Sequence, residues 1–128
     1  MAAITITQAG LNLLRNGTSN ADTPLISFVA LGTSSTIPTA ADTQLGAEVF
    51  RKAVSSWVNG TNPGEVLINL YLAPNDAIGV NIQEVGFFGG INASPATNSG
   101  VLLAHGLYSH SKLSTESIQF QLDLSLTA

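Results

Sequence analysis

Two histidines, two tyrosines, eight carboxylates and four cations, with no cysteine, are the ionisable side chains available for acid-base or metal chemistry. His105 and His110 are the obvious metal pair, but a five-residue spacing on an extended segment puts them on opposite faces, so they make no ready two-ligand site. Without thiols there is neither a disulfide framework nor a thiolate metal site. No Gly-x-Ser-x-Gly elbow, Gly-x-x-x-x-Gly-Lys loop or His-Glu-x-x-His helix occurs. The carboxylates are scattered, with no spacing that suggests shared acid and base work. These patterns predict a chain that is not an enzyme and that holds no cofactor and no metal.

One carboxylate stands apart. If Val80, Ile82, Gly86 and Phe88 form the core-facing set of their segment, Glu84 falls on the same apolar face, where an unpaired charge is costly. Two outcomes are open. Either Glu84 is buried in an ion pair or backbone anchor that fixes register, with Arg51 or Lys112 as the cation, or a bulge near Gly86 turns it outward to water.

The elements that must position these groups are strands. From Glu65 to Ala73 the even positions Val66, Ile68, Leu70 and Leu72 are apolar, the alternation of a half-buried strand. Ile118 to Leu126 is more regular still, with Ser117, Gln119, Gln121, Asp123 and Ser125 on the other face. That face is neutral but for one charge, which makes Gln119, Gln121 and Asp123 a candidate interface. Leu25 to Leu31, Val80 to Phe88 and Val101 to Tyr108 are near-continuous apolar runs and read as strands covered on both sides. Phe50 to Val58 is a sixth candidate. Turn chemistry separates them at Asn59 to Gly64, Pro74-Asn75-Asp76, Gly89-Gly90 and Asn92 to Gly100.

Helix is scarce. Thr7 to Arg15 is the best case, with Thr5 or Thr7 as cap, Leu11 and Leu14 on one face, and Asn16-Gly17 as a left-handed stop. A second short turn is predicted near Asp42 to Glu48, and Gly32 to Ala41 reads as an ordered surface loop. With no repeat, heptad or linker, residues 1–128 form one domain, mainly β, an antiparallel β-sandwich of about six strands with one or two short helices near the N-terminus.

Composition bounds the partners. Charged residues are 9% of the chain, against about 25% in an average soluble protein. Ser, Thr and Asn take their place, 13, 12 and 10 residues. Their short neutral side chains lose little entropy in a contact, so such a surface favours assembly over monomer life. Net charge is −4, and Arg15, Arg51, Lys52 and Lys112 are too few for a phosphate-neutralising stripe, which argues against nucleic acid. The opening residues lack the basic start and apolar run of a signal peptide, and no 18-residue apolar stretch occurs. No membrane partner is expected, and the chain is expected to stay in a cytosol until assembly. The triplets at Asn16, Asn59 and Asn92 match glycosylation acceptors, but in a chain this rich in Ser, Thr and Asn they are expected by chance.

In order, Ile6-Thr7-Gln8-Ala9-Gly10-Leu11-Asn12-Leu13-Leu14, Phe28-Val29-Ala30-Leu31-Gly32, Leu45-Gly46-Ala47-Glu48-Val49-Phe50-Arg51, Ile82-Gln83-Glu84-Val85-Gly86-Phe87-Phe88, and Gly100-Val101-Leu102-Leu103-Ala104 with Lys112 span nearly the whole chain. Together they resemble the tail-collar fibre family of tailed phages. The resemblance implies a trimeric virion structural protein, the unit that joins a tail fibre to the baseplate, contacting neighbouring phage tail or baseplate proteins. Long members continue into a shaft and receptor-binding tip, whereas this chain stops at Ala128. It therefore looks like a baseplate or tail-tip subunit or an attachment adapter, located in the virion tail and in host cytoplasm during assembly. The alternatives are a capsid decoration protein and a carbohydrate-binding receptor module using Trp57, Tyr71 or Tyr108 as stacking platforms.

Overall fold

The computed structural model describes residues 4–126. Met1–Ala3 and Thr127–Ala128, which include the residues read above for a signal peptide and for the chain end, lie outside them. The order is β1 (Ile4–Ile6), α1 (Gln8–Thr18), β2 (Ile26–Gly32), β3 (Glu48–Ala53), β4 (Ser56–Asn59), β5 (Glu65–Leu72), β6 (Asn81–Gly89), β7 (Val101–Ser111) and β8 (Ile118–Ser125). Two antiparallel sheets result, one of five strands in the order β1-β7-β6-β2-β3 and one of three in the order β4-β5-β8.

The apolar pattern explains this arrangement. The three continuous runs become β2, β6 and β7, the inner strands of the larger sheet, and they are covered on both faces. Val29, Leu31, Val85, Phe87 and Leu103 enter the main core between the sheets, against Ile68, Leu70, Phe120 and Leu122. On the opposite face Ala30, Phe88 and Leu102 form a smaller cluster with Leu45, which comes from the long β2–β3 connection. The alternating runs become β5 and β8, which bury one face only.

Eight strands replace the six expected because of two local features. The run Phe50 to Val58 breaks at buried Val54, whose amide donates to Ser27 O in the larger sheet while the Ser55 amide donates to Asn69 O in the smaller, so one run serves both sheets as β3 and β4. Ile4–Ile6 adds a short strand, paired with β7, ahead of the helix.

Thr7 caps α1, its hydroxyl oxygen accepting from the Gly10 amide at 2.9 Å and its hydroxyl donating to Leu102 O. The helix buries Gly10 and Leu13 and packs Leu14 partly against the core, whereas Leu11 is exposed. It also runs through Asn16-Gly17 to Thr18, and the left-handed residue after it is Asn20, at φ 62°. No helix forms at Asp42 to Glu48: residues 42–47 belong to the β2–β3 loop and Glu48 opens β3.

Candidate functional site

Glu84 lies on β6, on the face of the larger sheet away from the smaller one, and it is fully buried. A register irregularity between Ile82 and Glu84 explains this. It sends Ile82 into the main core while Glu84 keeps the opposite face with Phe88. A second irregularity lies between Phe87 and Phe88, next to Gly86, and neither one turns Glu84 out to water. The chain then closes over it: residues 33–47 cross this face, with Leu45 against Gly86, where a β-carbon would stand 2.5 Å from Leu45 Cδ2. Gly32 is needed for the same closeness, since a β-carbon there would lie 2.3 Å from Glu84 Oε2.

Every contact of the carboxylate is a donor. Oε1 accepts from the Gly46 amide at 2.8 Å, and Oε2 from the Ala47 amide at 2.8 Å and the Ser34 amide at 3.2 Å. His105 Nε2 stands 2.8 Å from Oε1, and its Nδ1 stands 2.9 Å from Asp42 Oδ2. Because ionised carboxylates only accept, both contacts are hydrogen bonds when each ring nitrogen carries a hydrogen. Asp42 also accepts from the Thr39 amide and hydroxyl, at 2.9 Å each. The network therefore pins the loop near its start, middle and end to two neighbouring inner strands.

The cations expected beside Glu84 do not reach it. Arg51 sits on β3, two strands from β6, where its guanidinium makes a two-pronged bond to Glu48 at 2.9 Å for both prongs. Arg51 also donates to Ser94 O and Ser99 O and lies 4.3 Å from the Phe88 ring centroid, so it fastens the β6–β7 loop over the same sheet face. Lys112 follows β7, and its buried Nζ donates to Pro74 O at 3.1 Å and Leu113 O at 2.8 Å. The sequence-level grouping of Glu84, Arg51 and Lys112 is thus three separate fasteners, each for a different loop. Reading by residue type missed His105 and Asp42 as the partners. Sequence spacing carries no signal for them, since 21 and 63 residues separate His105 from its two acceptors.

His110 is turned away from His105 and bonds Glu116 at 2.7 Å. Among the described residues no group of three or more His, Cys, Asp or Glu is arranged to hold a metal ion, and no helix is long and apolar enough to cross a membrane. The three aromatic candidates do not share a platform. Trp57 donates to Ile26 O at 2.7 Å and lines an apolar cleft of about 290 Å³ with Leu14, Leu25 and Leu124. Tyr71 is exposed on the outer face of the smaller sheet, and Tyr108 packs edge-on against Phe120 at 5.1 Å.

Gln119, Gln121 and Asp123 are all exposed on that same outer face. Both glutamines donate to Asn69 Oδ1, at 3.4 and 2.8 Å, which holds the carboxamides flat against the sheet. Asp123 lies beside Glu65, whose hydrogen bond, with burial and like charge adding, holds its carboxyl above the usual value.

The loop fastening has a pH signature. Burial works to raise the Asp42 carboxyl, but the Thr39 amide, the His105 ring and the Thr39 hydroxyl together leave it below its ordinary 3.8. A group depressed on folding contributes stability in full above the unfolded value and loses it as pH falls through the folded one. Asp76, held down by its Lys52 hydrogen bond, has the same sign, and Asp123 the opposite one. Denaturant melts between neutral pH and pH 3 should therefore show wild type losing stability below about 4. Asp42→Asn should lose less over that range; an identical slope in the variant would remove Asp42 from the network's energetics.

A scan against protein-family models finds no match to the chain, and a search of curated proteins finds no significant relative.

Proposed function

We propose that the chain is a structural subunit of a tailed-phage virion, a baseplate or tail-tip component or tail-fibre attachment adapter that works by protein-protein assembly rather than catalysis. The observation that carries this reading is the use made of the buried ionic groups. Glu84, His105, Arg51, Glu48 and Lys112 are all engaged in fastening loops to the sandwich. Both His105 nitrogens and both Glu84 oxygens are occupied, and the ring is 3% exposed. The broad surface left over is weakly charged and rich in Ser, Thr, Asn and Gln, which suits contact with copies of itself and with neighbouring tail proteins. The ordered sequence motifs add the phage context and favour a trimer.

Electron microscopy of virions carrying a labelled copy is the test. Label at the baseplate or fibre root supports the reading. Label on the capsid shell replaces it with a decoration role, and glycan-array binding by the isolated protein replaces it with a receptor module.

A further inference from the structure

The smaller sheet ends in β8, and the phase of its backbone can be read from β5. In an antiparallel strand a residue's N–H and C=O point to the same side, and the side alternates along the chain. Asn69 O accepts from the Ser55 amide, Glu65 O accepts from the Gly60 amide, and the Tyr71 amide donates to Ser55 Oγ, so the odd residues of β5 address β4. Gly64 O accepts from the Leu126 amide, so the even ones address β8. The register pairs Asn69 with Gln121, Tyr71 with Gln119 and Leu67 with Asp123. The backbone groups of Gln119, Gln121 and Asp123 therefore point away from β5, to an edge where no other described strand pairs.

Natural edges are blunted by Lys, Pro, bulges or shortness. Glu48, Arg51 and Lys52 load β3 with charge, and β4 has four residues. By contrast β8 runs for eight residues in unbroken register with no Lys, no Pro and one charge.

We infer that this edge pairs antiparallel with β8 of a second copy, about a two-fold axis at Gln121, to make a continuous six-stranded sheet. The inference rests on the reading that the chain assembles with itself. The side chains select the axis. Residues opposite each other must share a face and a hydrogen-bonding phase, so odd positions must oppose odd ones. Centring on Gln121 sets each Gln119 carboxamide, a donor, opposite Asp123 of the second copy, an acceptor. It also holds the two Asp123 carboxylates four residues apart, about 14 Å at the strand rise. Centring on Asp123 would bring the like charges face to face. A two-fold contact here is compatible with a three-fold contact elsewhere, the two together giving a hexamer.

Two variants of the full chain test this. Gln121→Pro removes an edge donor while sparing the β5 ladder, a position where proline is tolerated. It should melt as a folded protein and halve the assembled mass by light scattering, dimer to monomer or hexamer to trimer. Gln121→Cys gives the chain its only thiol. Across the axis the two α-carbons would stand about 5.5 Å apart, inside the disulfide range of about 4.4 to 6.8 Å. Mild oxidation should then link two chains at least about tenfold faster than Thr61→Cys, an exposed turn control, because paired thiols sit at millimolar effective concentration. Should Gln121→Pro fail to fold, the cross-linking rate decides. An assembly whose mass survives Gln121→Pro, or cross-linking no faster than at Thr61, overturns the edge pairing and leaves self-assembly standing. A wild-type monomer at high micromolar concentration overturns both.

Discussion

Removing Thr115 to Ala128 should leave a chain that does not fold. The segment carries β8, which pairs with β5 along its whole length, from Ile118 opposite Leu72 to Ser125 opposite Glu65. Phe120 and Leu122 are buried in the main core, and Ile118 and Leu124 pack against it. A fully buried side chain of this size contributes roughly 1.5 to 3 kcal/mol. Two such chains and two half-buried ones already approach the typical domain margin of about 5 to 15 kcal/mol. The loss continues beyond them, because Tyr108, Ile68 and Leu70 would lose the wall that covers them. Leu126, 54% exposed, adds little, so the effect belongs to four core residues rather than five. Circular dichroism and sedimentation of the truncated chain check this. A soluble, cooperatively melting product would mean that β8 is an arm laid on a core complete without it.

That strand was also the most legible part of the sequence. A period of two over nine residues has no competing reading, and β5 and the three doubly covered strands were readable for the same reason. The failures have a common cause in tertiary context. Phe50 to Val58 reads as one apolar stretch, and only the backbone bonds of Val54 and Ser55 to different sheets divide it. Asp42 to Glu48 has the composition of a helical turn. Its amides at Gly46 and Ala47 are instead drawn to the Glu84 carboxylate, an interaction across 38 and 37 residues that outweighs local preference. In α1 the helix turns Leu13 inward because the Gly10 side lies so close to β7 that a β-carbon there would stand 2.7 Å from Leu103 Cα.

The candidate site was legible only as a question. Glu84 on an apolar face signals that a partner must exist, and burial of Glu84 answers it on the paired side. Charge alone points to a cation as the partner. Backbone amides carry no sequence letter, and His110 five residues on makes His105 read as a candidate metal ligand before it reads as a donor to carboxylates. Gly32 is the readable trace of the close approach, since a β-carbon there would meet the carboxylate, whereas one at Gly46 would meet Ser34.

Glu84→Ala should destabilise the protein by about 3 to 5 kcal/mol, the range for leaving one half of a buried charged pair uncompensated. The substitution strands four donors under the loop: the amides of Ser34, Gly46 and Ala47 and the Nε2 of His105. The His105 ring and the carboxylate's own place are buried, so the desolvation incurred there is not returned, and the three amides lose a charged acceptor at a half-covered loop. Glu84→Gln should recover only part of the loss, because its carboxamide nitrogen would face donors. Denaturant melts read the total, and amide exchange at Gly46 and Ala47 should rise well above that at core amides of β6 such as Val85 and Phe87. Coupling identifies the partner. A double-mutant cycle between Glu84 and His105 should show an interaction above about 1 kcal/mol, whereas the cycle between Glu84 and Arg51, which share no contact, should be additive within about 0.5. A loss within about 0.5 kcal/mol for Glu84→Ala would mean that the loop stays closed on Leu45 packing alone.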